Sequence, residues 1–108
     1  MLILQSRYLI PKGFSGLTIF PFVIVSTKVD LTNKILLNHE RIHLRQQLEL
    51  AILPFFIWYF IEYLLRLLQF RNKRKAYRNI SFEREAYANE RNMQYFTKRR
   101  FWSFIKYL

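Results

Sequence analysis

The segment from Leu50 to Phe70, LAILPFFIWYFIEYLLRLLQF, decides what this chain of 108 residues can become. So long an apolar run must be helical and must be covered by something. Its length matches the roughly 20 residues with which a helix crosses a bilayer. Glu62 and Arg66 interrupt it at a spacing that pairs them across one helical turn. Pro54 has no backbone N–H to contribute, which suits the first turn of a helix and predicts a bend before a new helix begins. A lipid span, a helix lying in the membrane interface and a core helix with an ion pair are all compatible with these residues.

Charge narrows the choice of partner. Eighteen Lys and Arg face seven acids, a formal net charge of +11, while 52% of residues are hydrophobic and 19% aromatic. Such basicity points to nucleic acid or to anionic lipid. Nucleic-acid binders set basic residues among Gly, Ser, Asn or stacking aromatics on exposed surfaces. Here the basic residues flank apolar runs, as at a membrane interface, and no nucleic-acid motif accompanies them. An anionic membrane surface is therefore the expected partner, and nucleic acid ranks last. The run directly after the apolar segment carries Arg71, Lys73, Arg74, Lys75 and Arg78. It suits a solvated face, and it also stands where headgroups would be met. The tail, Lys98 to Leu108, mixes basic residues with Phe101, Trp102, Phe104, Ile105 and Tyr107, and is expected either to lie on a membrane or to close over the core. Met1 to Ile10 has no basic leader and no small-residue cleavage site, so the expected location is the cytoplasm or the cytoplasmic face of a membrane.

The size is that of one domain, residues 1–108, with a modest core. Pro11-Lys12-Gly13 predicts a turn. Leu17 to Thr27 is rich in β-branched and aromatic residues and predicts strand, broken at Pro21 into a two-stranded piece or an edge strand. Asp30 or Thr32 is placed to cap a helix running from about Leu31 to near Leu50. On that helix Ile35, Leu36, Ile42 and Leu50 share a side with His39, His43 and Gln46, while Arg41, Arg45 and Glu49 point outward. A further helix is expected to start at Ser81, with Ser81 as its N-cap though without a full capping box. The fold class is mostly α with a short N-terminal β element.

Both histidines of the chain lie in one pentapeptide, His39-Glu40-Arg41-Ile42-His43. Residues four apart share a helix face, so the imidazoles project together. Glu40 is rotated by roughly 100° from His39, out of direct line with an ion but within reach of a water held by it. This is the HExxH pattern of zinc metallopeptidases. The blander alternative is a basic amphipathic helix with two histidines on it. A zinc site on HExxH requires a third protein ligand. With no cysteine and no third histidine, that ligand is a carboxylate, and the candidates lie in Phe82 to Glu90, FEREAYANE.

In these two patches, about residues 38–47 and 82–90, the chain resembles the zincin metallopeptidases, specifically the gluzincin branch. Members of that branch carry a downstream Glu ligand in E-x-x-A-D or E-x-x-x-D. Glu83-Arg84-Glu85-Ala86 matches its first four positions, and the resemblance implies Glu83 as the third ligand, with Glu85 the alternative. Apart from that, Glu85 and Glu90 fit an ordinary surface helix with Glu–Arg pairs. The family's Asp, which orients a zinc histidine, is replaced by Tyr87, and Tyr87, a backbone carbonyl or Glu90 could take its place. The strings NHERIHLRQQLE and FEREAYANE are also similar to a small, uncharacterised zincin-like bacterial family.

The resemblance implies a minimal zincin-like domain with zinc on His39, His43 and Glu83 and Glu40 as general base. It further implies a peptide or protein substrate held by the strand before the metal helix, with Tyr77 and Tyr87 as candidate oxyanion stabilisers. So small a chain has little material for cleft walls, so a partner subunit is a further expectation. If Leu50–Phe70 crossed a bilayer once, its far end would lie about 30 Å from its start. Bringing Glu83 back to the histidines would then drag several charges through lipid. Zinc on Glu83 thus predicts a core or interfacial helix. The competing expectation is a non-enzymatic, basic, aromatic-rich membrane-surface or adaptor protein whose metal site is structural or incidental.

Overall fold

The computed structural model describes residues 2–108, the side chain of Val29 excepted; Met1, the first residue read for a leader, lies outside the described residues. Strand β1 (Leu2–Gln5) is followed by the turn at Pro11–Phe14, where Phe14 N donates to Pro11 O (3.1 Å) and Gly13 takes φ 92°. β2 (Gly16–Ile19) and β3 (Phe22–Val25) then form an antiparallel hairpin, with Phe20-Pro21 at its turn. Pro21 therefore does break the Leu17–Thr27 segment, into two short strands. β1 pairs parallel to β3, with Leu2 opposite Phe22, so the sheet order among the described residues is β1-β3-β2. β1 was not expected, because its exposed LILQ run lacks the alternation that marks a half-buried strand.

A 3₁₀ turn (Val29–Thr32) precedes helix α1 (Lys34–Glu49). Neither Asp30 nor Thr32 caps that helix. Asn33 does, its side chain accepting from Leu36 N at 3.1 Å, while Asp30 is engaged with the hydroxyl of Thr27. α1 lies between the sheet and α4. Toward the sheet, Leu44 packs on Val23 and Val25, and the Gln47 amide clips β2. Its Nε2 donates to Thr18 O and its Oε1 accepts from Phe20 N, both at 2.7 Å.

After a bend at Ala51 and Ile52, both at φ 59°, α2 (Leu53–Phe70) begins with Pro54 in its first turn, where the sequence placed the new helix. Arg71, in the left-handed region at φ 54°, ends α2. α3 (Lys73–Arg78) follows, capped by the Asn72 side chain. α4 (Ser81–Asn89) starts at Ser81, but Ser81 does not cap it. Glu62 reaches across from α2 and accepts from Ser81 N and from Ser81 Oγ (2.7 Å), besides Trp58 Nε1 at 3.2 Å. A carboxylate at a helix N-terminus satisfies orphan N–H groups and matches the dipole. The expected Glu62–Arg66 pair is present but long, at 3.9 Å.

The core sits between α1, α2 and α4, with Leu50, Phe55, Ile80, Phe82 and Phe104 buried together. Phe82 meets Phe55 and Phe104 at centroid distances of 4.4 and 4.6 Å. Burying each such side chain stabilises the fold by roughly 1.5–3 kcal/mol. Phe104 comes from the tail, which follows α5 (Tyr95–Lys98) and ends in a 3₁₀ turn (Ser103–Tyr107), so the tail closes over the core. Arg99 ties it down by donating to both oxygens of Glu85 and to Glu49 Oε2 at 2.7 Å. This corrects two expectations. Glu49 does not point outward with Arg41 and Arg45, because Arg99 draws its carboxylate inside. Glu85 is no surface residue, being wholly buried in the same network. The protein is mostly α-helical with a small sheet.

Candidate metal centre

α1 carries His39 and His43 one turn apart on its α4-facing side, and α4 presents Glu83 to both. Each imidazole Nε2 lies 3.1 Å from Glu83 Oε1, and the two Nε2 atoms are 3.2 Å apart. All three residues are buried.

The outer hydrogen bonds fix what these atoms are. Gln46 Nε2 donates to Phe82 O (3.1 Å) and Glu85 Oε1 (2.8 Å), so the Gln46 oxygen must face His43 Nδ1, 2.8 Å away. His43 Nδ1 is therefore the donor, and in the neutral ring Nε2 carries a lone pair. His39 Nδ1 stands 2.7 Å from the Glu90 carboxylate, which only accepts when ionised, and the same tautomer follows. Two nitrogen lone pairs and a carboxylate oxygen thus converge, a repulsive arrangement until a cation fills it. Tetrahedral coordination with bonds of 2.0–2.1 Å would place ligand atoms about 3.3 Å apart, close to the separations found here. The buried group His39, His43 and Glu83 could hold a metal ion.

Electrostatics tells the same story. Burial works against a charge on His43, but the Glu83 carboxylate outweighs it and the imidazole is pushed up to about 9. Burial likewise opposes the Glu83 charge, yet His43 and His39 hold its carboxyl well below the usual range. Tyr59 donates to Glu83 Oε2 at 2.7 Å, leaving Oε1 for the histidines. Burial, reinforced by the Glu83 charge, raises the phenols of Tyr59 and Tyr77, so both remain O–H donors.

Glu40 stands apart from the three converging atoms. Thr18 on β2 donates to its Oε2 at 2.5 Å, and a Cβ at Gly16 would come within 2.7 Å of its Oε1, so β2 lies directly on this carboxylate. Glu40, His43 and Glu83 together border a cavity of about 600 Å³ whose other walls include Leu17, Phe55, Phe56, Tyr59 and Tyr63. Tyr77, Lys73 and Arg74 also line it.

Of the residues named from sequence, the fold brings His39, Glu40, His43, Glu83 and Tyr77 to one place. Tyr77 Oη lies 3.3 Å from Tyr87 Oη. Tyr87 packs its ring edge-on to His39, at a centroid distance of 4.5 Å, and leaves the Nδ1 position to Glu90. Glu85 is not in the ligand group, because Arg99 and Gln46 occupy its oxygens. Arg71, Lys73, Arg74, Lys75 and Arg78 are exposed, with the Arg78 guanidinium 3.9 Å over the Tyr87 ring. Sequence reasoning missed Thr18 and Tyr59. A threonine in a strand and a tyrosine in an apolar run carry no mark of their role. Comparison of the chain with protein-family models, with curated proteins and with solved structures finds no match.

Proposed function

We propose that this chain is a minimal zincin-like, zinc-dependent peptidase, with zinc on His39, His43 and Glu83 and with Glu40 as general base. One observation carries the reading: three lone-pair atoms converge on His39, His43 and Glu83, and two of those residues, His43 and Glu83, border the same cavity as the separate carboxylate of Glu40. A structural zinc site is closed by four protein ligands, whereas a catalytic site keeps a position open. Three ligands beside a cavity support the catalytic alternative over a structural metal in an adaptor protein.

The ion would supply Lewis acidity, polarising a substrate carbonyl and acidifying water. The protein's residues do the rest. Thr18 holds Glu40 Oε2, which leaves Oε1 to accept a proton and return it to the leaving amine nitrogen. Tyr77, a neutral donor on the cavity wall, suits a developing oxyanion. β2 suits an extended peptide. Ser26 N donates to Ser15 O, so by antiparallel alternation Leu17 and Ile19 face β3 while the backbone groups of Gly16 and Thr18 face away from it. Gln47 takes Thr18 O, and Gly16 borders the cavity, where main-chain hydrogen bonds to substrate are geometrically open.

The test compares zinc-loaded wild type and Glu40→Gln on unfolded casein. Glu40→Gln should keep its zinc and lose cleavage by about 10²–10⁴-fold. Casein left intact by the zinc-loaded wild type, or cut equally well by the variant, would contradict the peptidase reading.

A further inference from the structure

The face of α2 turned away from the core is apolar along its whole length. Leu53, Ile57, Ile61, Leu64, Leu65 and Leu68 recur at helical spacing, and each is at least 43% exposed. Leu108 extends the stripe, bordering a groove with Pro54, Ile57, Trp58, Ile61 and Leu65. Soluble monomers rarely leave so continuous an apolar surface to water. Directly past the end of α2 stand Arg71, Lys73, Arg74 and Lys75, all exposed.

We infer that this face docks onto an anionic lipid bilayer, with α2 lying in the interface and the basic cluster on the headgroups. By length and composition α2 could cross a membrane. Its opposite face, however, is committed to the globule: Phe55 is in the core, and Glu62 holds the start of α4. A span would carry that carboxylate, Arg66 and the contacts with α3 into lipid. Lying flat leaves those contacts intact and buries only the exposed stripe. A second copy of the chain is the poorer occupant, because pairing two α2 faces would join molecules of +11 each and offer the basic clusters no opposite charge. Anionic headgroups supply the opposite charge.

Docking also orients the cavity. Phe60 is 60% exposed beside the stripe and lines the cavity, as do Lys73 and Arg74 of the basic cluster. The bilayer would then adjoin the cavity mouth, and the substrate would be a polypeptide presented at the lipid surface. This last step rests on the peptidase reading; the docking does not.

Flotation with vesicles separates the two. The full chain should float with phosphatidylcholine vesicles containing 30 mol% phosphatidylglycerol, equally with added zinc or with EDTA, and far less with phosphatidylcholine alone. Ile61→Glu with Leu65→Glu should abolish flotation while the circular dichroism spectrum stays unchanged. Neutralising Lys73, Arg74 and Lys75 with Gln should weaken binding by on the order of 100-fold. If the wild type stays at the bottom of the gradient, or if both variants float like wild type, the docking surface is refuted. A concentration-dependent dimer that Ile61→Glu dissociates, without vesicle binding, would assign the face to a second copy instead.

Discussion

At the scale of single residues, the site is defined by where protons are. With Nδ1 of each histidine committed as a donor, a cation has room among the two Nε2 atoms and Glu83 Oε1. Without metal that cation is a proton on His43, whose folded value of about 9 lies above its ordinary 6.5. A group raised on folding contributes stability that is fully present below 6.5 and lost as pH rises through about 9. Zinc would displace the same proton, so zinc affinity should climb with pH up to about 9 and level off above it. Calorimetry at pH 7.5 in buffers of different ionisation enthalpy should show about one proton released per zinc; none released would place the ion elsewhere. His39, Glu40 and His43 were legible in the sequence because one helix fixes their relation through spacing alone. Glu83 was selected by its resemblance to a ligand motif, and the fold brings it to the histidines. Glu90 was one of three partners expected to orient a histidine, and it is the one that meets His39 Nδ1. Tyr59 and Thr18 depend on how distant segments meet, and spacing carries no record of that.

At the scale of elements, α2 and α4 are joined through Glu62, which completes the N-terminus of α4 and so helps to set where Glu83 sits. Glu62→Ala should cost about 1–3 kcal/mol, since it removes the partner of a buried N–H and of the Ser81 hydroxyl. Arg66→Ala removes only a long, partly exposed pair and should cost less than about 1 kcal/mol. Urea denaturation of the two variants checks this, and equal losses would show that Glu62 acts through Arg66 instead. The α2 start at Pro54 and the α4 start at Ser81 were readable because local chemistry marks them. The cap of α4 was not, because the residue that supplies it lies 19 positions earlier. β1 escaped for a similar reason, since it is held by pairing with the distant β3. The Asn33 cap is local, but Asp30 and Thr32 close before it offer the same capping chemistry.

At the scale of the whole molecule, a chain of 108 residues uses its tail as part of the core. Phe104 fills it and Arg99 locks the tail to α1 and α4, which leaves α2 free to be core on one side and exposed on the other. Composition alone could not choose among core, interface and span for α2, since all three need the same residues. The packing of Phe55 and Glu62 commits one face of α2 to the globule. The fold thus serves a single arrangement, in which α1 and α4 meet along a buried polar seam that ends in the candidate metal centre. The most direct test is metal content by mass spectrometry on purified, zinc-supplied protein beside His39→Ala and Glu83→Ala. Wild type should carry close to one zinc per chain, and both variants should lose it. No zinc in the wild type, or zinc retained by Glu83→Ala at wild-type affinity, would contradict a centre built from these three residues.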